Sequence, residues 1–175
     1  MRDGISTKLE VGQAAPDFEL VTDSGDAWRL SEQKGRVTAL LFYPQNETLV
    51  CNRQLCSVRD NWQEYMETKA SVVGISPPLA GGHKGFRVKY DLPFTLLADE
   101  GRVVTRDYCS HWLFPLSFMR GIVVVDAKGI VRSRRTMLRA FRPSDESVIS
   151  AIYEARVDRA NDEYSEIATR RERKR

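Results

Sequence analysis

The stretch Phe42-Tyr-Pro-Gln-Asn-Glu-Thr-Leu-Val-Cys51 sets a proline, a hydroxyl and a thiol at spacings that can do chemistry. A cysteine is a nucleophile only as its thiolate, and a free thiol with a pKa near ~8.5 is mostly protonated at neutral pH. Cys51 falls in the first turn of a helix expected from about Thr48. There the unpaired backbone N–H groups and the positive end of the helix dipole favour an anion. Thr48, about one turn earlier, carries a hydroxyl that can donate to a thiolate and accept from an incoming O–H. Pro44 closes one side without a competing N–H. Each residue also has a plain reading: Cys51 as a buried small side chain, Thr48 as a helix N-cap, Pro44 as a strand stop.

Those groups need a frame. Residues 37–43 read as a buried strand that Pro44 ends, and a helix over about 48–68 follows, with Leu55, Val58, Trp62, Tyr65 and Met66 on one side. The frame continues with a strand at 71–76, a helix at about 83–90, a strand at 94–97 and a short helix at about 102–108. Residues 121–126 and 130–134 form a hairpin around Ala127-Lys-Gly129, and Ser144 caps a last helix. Ahead of all these, turn signals around the alternating run 17–21 predict a small hairpin. The order is hairpin, β, α, β, α, β, α, β, β, α, which predicts an α/β, thioredoxin-like sandwich with a mixed central sheet flanked by helices. A thiol just beyond the carboxyl end of the first central strand stands where α/β proteins carry chemistry.

The 175 residues fit one domain, expected over 1–158, with a basic helix end or tail over 159–175. A chain this long buries about 70% of its unfolded surface and needs no staple. With 42% hydrophobic and 29% charged residues it is neither collagenous nor disordered. No apolar run approaches the ~18 residues of a membrane span, and Met1-Arg-Asp-Gly-Ile lacks the core of a secretory signal, so the expected location is the cytoplasm. The last six residues hold five basic and one acidic side chain, a net +4, which leaves residues 1–169 at −1 within a total of +3. Nucleic-acid binding would have to rest on that tail alone, and none is expected. The cysteines, Cys51, Cys56 and Cys109, are odd in number, and Cys109 has no partner at a telling spacing. His83 and His111 stand at no metal-ligand spacing from them.

Pro44, Thr48 and Cys51 match P-x-x-x-T-x-x-C, and Cys56 makes C-x4-C. In this the chain resembles the peroxiredoxins of the AhpC/TSA family, specifically the bacterioferritin comigratory protein (PrxQ) subfamily. Val11-Gly-Gln-Ala-Ala-Pro-Asp-Phe18, Gly82-His-Lys-Gly-Phe86, Tyr90-Asp-Leu-Pro-Phe94 and Leu97-Ala-Asp99 carry the likeness further. Arg120 stands six before Asp126, as in the family's R-x-T-F-x-I-D strand. The resemblance covers about residues 8–155. Two departures from it stand out: Thr48-Leu-Val-Cys51 replaces a common T-P-G-C, and Ile122 replaces the threonine of the arginine motif.

The resemblance implies a thiol-dependent peroxidase. Cys51 would attack a hydroperoxide oxygen, Arg120 would stabilise the departing charge, and the Cys51 sulfenic acid would condense with Cys56 to a disulfide. Thioredoxin or a similar dithiol donor would reset the enzyme. Thr48 and Pro44 would line the site, no cofactor or metal would be needed, and the chain would be a monomer or weak homodimer. Helix geometry adds a condition: Cα atoms five residues apart are separated by roughly 8.7 Å, whereas a disulfide rarely spans more than about 7 Å. The helix around residues 51–59 must therefore unwind locally for the bond to form. The alternative from another class is a redox-sensing or chaperone-like interaction protein that uses the same cysteine pair as a switch. A dithiol oxidoreductase on this fold would normally carry C-x-x-C rather than C-x4-C.

Overall fold

The structure, a computed structural model, describes residues 9–44, 49–78, 82–109, 119–138 and 141–157, with residues 49–52 as backbone alone. Thr48, the Cys51 side chain, His111, residues 112–118 and the expected tail at 159–175 lie outside the described residues.

Seven strands form one mixed sheet, in the order β2-β1-β5-β4-β3-β6-β7. The N-terminal hairpin is β1 (Glu19–Thr22) and β2 (Ala27–Arg29), and β1 joins the sheet antiparallel to β5. At the centre, β3 (Thr38–Phe42) runs parallel to β4 (Ser71–Ser76), which in turn runs parallel to β5 (Thr95–Ala98). β6 (Met119–Val125) pairs antiparallel with β3 and with β7 (Val131–Leu138), the outer strand on that side. All five residues of β3 are buried, as a β-branched and leucine-rich run between two neighbours and under two layers demands.

The helices are α1 (Leu49–Asp60), α2 (Trp62–Glu67), α3 (Gly82–Lys89), α4 (Val103–Cys109) and α5 over 145–157. Strand alternation sorts the core into two layers. One face carries Ala39, Leu41, Tyr43, Ile122 and Val124, packed by Leu55 and Val58 of α1, Tyr65 of α2, Phe86 of α3 and Val148, Ala151 and Ile152 of α5. The other carries Leu40, Phe42, Val73, Ile75, Val123 and Val125, packed by Val104, Tyr108 and Cys109 of α4 and by Leu9 and Leu30. This is the expected thioredoxin-like sandwich, in the expected order of elements.

One difference is instructive. The helix expected to run unbroken to about residue 68 divides at Asn61, which is non-helical with ψ near 18°. Its amide Nδ2 donates to Ser57 O at 3.0 Å and to Asp145 Oδ2 at 3.1 Å. A short polar side chain thus competes for backbone partners and bends the path. Among the described residues no helix is long and apolar enough to cross a membrane.

Candidate active site

The site is built at the carboxyl end of β3. Phe42 pairs with Ile75 on one side and Gly121 on the other, and Tyr43 N extends the ladder to Ile75 O at 3.0 Å. Tyr43 and Pro44 are both buried. One step beyond the Phe42–Gly121 pair, the antiparallel register sets Tyr43 opposite Arg120. Arg120 alternates with Ile122 and Val124, so it points to the face covered by α1 and α5. Among the described residues it is the largest fully buried side chain, at 0% exposure. A guanidinium stays charged at any ordinary pH, so β6 carries a permanent cation into the layer between the sheet and the helices α1 and α5.

Gly74 makes room for the neighbouring ring. A Cβ there would meet Leu96 Cδ2 at 2.7 Å and Tyr43 Cε1 at 3.1 Å, so a larger residue would crowd the Tyr43 ring and force Leu96 to shift. Beside it, His83 at the start of α3 is buried, and its Nε2 is 3.0 Å from Ser76 Oγ. The Ser76 hydroxyl donates to Pro77 O at 3.0 Å, which leaves its lone pairs to accept from an Nε2–H. Burial lowers the His83 pKa, and the charge of Asp23 partly opposes this.

α1 begins five residues past Pro44, and Cys51 is its third residue, within the turn whose N–H groups have no intrahelical acceptors. One turn on, Gln54 is 3% exposed, and its Oε1 has no hydrogen-bond partner among the described residues. Gln54, Leu55 and Val58 form the buried stripe of the helix, and position 51 begins that stripe at i−3 and i−4. Cys56 is half-buried and carries a free thiol. Arg59, one turn after Cys56, donates from Nη1 to Tyr90 O at 2.8 Å and from Nη2 to Asp60 at 2.7 Å. The Asp60 hydrogen bond chiefly, with charge on Cys56 adding, raises the Arg59 pKa.

Of the residues singled out in the sequence, Pro44 follows β3 at its carboxyl end, Arg120 lies on β6 one step beyond the Phe42–Gly121 pair, and Cys51 is the third residue of α1. Cys56 is on the same helix, five residues on. Cys109 is elsewhere: it is fully buried in the opposite layer against Gly121, and burial pushes its thiol well up. Sequence reading passed over Tyr43, Gln54 and the Ser76–His83 pair. A polar residue interrupting an apolar stripe is the signal that could have exposed Gln54. A cavity of about 150 Å³ between Ser31, Thr38 and Asp126 opens at the opposite end of β3 and has no part in this arrangement. Among the described residues no group of histidine, cysteine or acidic side chains could hold a metal.

Residues 11–134 match the model of the AhpC/TSA family. A chloroplastic peroxiredoxin Q of Oryza sativa subsp. japonica is 40% identical over 130 residues, 71% of this chain and 58% of the rice protein. The chain thus spans less than two thirds of the length of that plant relative. The bcp protein of Coxiella burnetii, a peroxiredoxin by name, is 35% identical over 146 residues, which cover 83% of this chain and 88% of that one. The crystal structure of the peroxidoxin BcpB of Mycobacterium tuberculosis superposes with a TM-score of 0.70 at 25% identity, over 83% of this chain and 97% of the other. The reduced 2-Cys peroxiredoxin of Plasmodium vivax shares the fold, with a TM-score of 0.71 at 23% identity over 81% and 79% of the two chains.

Proposed function

Since the chain belongs to the AhpC/TSA family, in its peroxiredoxin Q and BCP branch, we propose that it is a thiol-dependent peroxidase whose attacking group is Cys51. The observation that carries the reading is the fully buried Arg120 on the sheet face that α1 packs, with Cys51 in the first turn of that helix. A helix N-terminus and a fixed guanidinium together hold a sulfur as its anion at neutral pH.

The thiolate of Cys51 attacks one oxygen of a hydroperoxide. An S–O bond forms, the O–O bond breaks, and the departing oxygen takes the electron pair and a proton to leave as water or an alcohol. Arg120 faces the charge that grows on that oxygen, which is where a preorganised cation lowers a barrier most. Thr48 accepts from the peroxide O–H, and Pro44 keeps water and a competing N–H from the sulfur. Cys51 is left as a sulfenic acid. The Cys56 thiol condenses with it, forming the disulfide and releasing water. Thioredoxin or a similar dithiol then restores both thiols by exchange. Such a cycle suits a reducing compartment, the cytoplasm. Hydrogen peroxide and organic hydroperoxides are both substrates in this reading.

The test is peroxide consumption with thioredoxin and its reductase by wild type, Cys51→Ser and Cys56→Ser. Cys51→Ser is expected to be inactive. Full turnover by that variant would remove Cys51 from the mechanism. Oxidation that stops after one equivalent in the wild type would point instead to a redox switch.

A further inference from the structure

The disulfide needs α1 to unwind, and the structure shows where the unwinding can stop. α1 is continuous from Leu49 to Asp60, so positions 51 and 56 both start in helical geometry, about 2 Å too far apart at Cα to be bridged. The upstream end is a helix N-terminus, whose first N–H groups have no intrahelical partners and which frays first. The downstream end is held. The Asp145 carboxylate, at the start of α5, accepts from Ser57 Oγ, from Asn61 Nδ2 at 3.1 Å and from Tyr65 Oη at 2.8 Å. Those donors come from α1, from the break and from α2. Tyr65 is 1% exposed, so its hydroxyl finds no competing water. Arg59 adds a tie to the end of α3 through Tyr90 O. Ser57, the residue after Cys56, is the first to be tied.

We propose that Asp145 is a positioning residue for the resolving step, fixing Ser57, Asn61 and Tyr65 so that oxidation unwinds α1 only as far as Cys56. Cys56 then swings on a fixed pivot toward Cys51, and α2 keeps its packing. This rests on the proposed Cys51–Cys56 disulfide and adds its structural boundary.

The experiment is amide hydrogen exchange, read by mass spectrometry, on the full chain in its dithiol and disulfide forms, with the disulfide verified by mass beforehand. In the wild type, oxidation is expected to speed exchange at least about tenfold in residues 53–56 and to leave 58–67 unchanged. In Asp145→Ala the dithiol form is expected to keep its protection, and oxidation to spread fast exchange through Tyr65. Ser57→Ala, which spares the Tyr65 tie, is expected to move the boundary only to Asn61. Loss of protection through residue 67 in the oxidised wild type overturns the proposal. So does an unchanged boundary in Asp145→Ala, or equal loss in both of its redox states, which is what a purely structural role would give. Failure of the wild type to form the Cys51–Cys56 bond under peroxide overturns the disulfide reading, and the pivot with it. A wild type that forms the bond without the boundary overturns the pivot alone.

Discussion

Cys56 and Cys109 are both free thiols, and the fold treats them in opposite ways. Cys109 ends α4 with no solvent exposure, pressed against the backbone of Gly121, and burial in that layer drives its pKa far up. Cys56 is half-buried on α1, one turn from the Arg59 guanidinium. Thiol reactivity requires access and a nearby positive charge. One residue type therefore becomes packing material in one layer and a candidate reagent in the other, and the difference lies in the neighbours.

Alkylation separates the two most widely. Iodoacetamide should label Cys56 in the native protein and Cys109 at least about a thousandfold more slowly, because Cys109 opens only with unfolding that costs roughly 5 kcal/mol or more. Comparable rates would break the contrast. Thioredoxin-driven peroxide turnover should fall by about two orders of magnitude or more in Cys56→Ser, for want of a resolving thiol, and stay within about twofold in Cys109→Ser. A Cβ at Gly121 would fall inside the envelope of Cys109 Sγ. Gly121→Ala should then destabilise by about 1–3 kcal/mol in urea melts, and Cys109→Ala in the same chain should recover most of that. A double-mutant cycle without coupling would show that the two do not share the space.

The smallest effect concerns His83. Its folded pKa is lowered by burial, so the unfolded chain takes up a proton that the native state refuses. This leaves stability untouched above the unfolded value of about 6.5 and erodes it as pH falls below that. The melting temperature should drop on acidification through that window, and His83→Gln should flatten the drop. An equal slope in the variant would assign the acid sensitivity to other groups.

Much of the frame was legible because the signals are local. The run over 37–43 is apolar but for Thr38, as suits a strand buried on both faces, and it emerged as β3. The position of Cys51 in the first turn of α1 followed from a strand stop and a helical stripe. Arg120 was legible as a motif residue. Its complete burial was not, since an arginine before a strand reads equally well as surface. The break at Asn61 was hard to see because one of the two acceptors of its amide, Asp145, is 84 residues away. The Tyr43 ring over Gly74 and the Ser76–His83 contact likewise join segments that only the sheet brings together.

β7 carries one more consequence. An outermost strand offers a row of unused N–H and C=O groups to any passing chain. In β7 the first residue, Val131, is already hydrogen-bonded to Gly12 and Gln13, and the strand beyond it bears Arg132, Arg134 and Arg135, with Arg132 anchored to Asp126 at 2.7 Å and Arg134 to Tyr108 O at 2.8 Å. A second copy of the chain adding itself alongside would bring three more guanidinium groups against these and be repelled by them. At the far side β2 is three residues long and ends in an arginine. Both margins of the sheet are thus guarded against polymerisation, which matters for a protein whose proposed working cycle repeatedly unwinds one of its own helices.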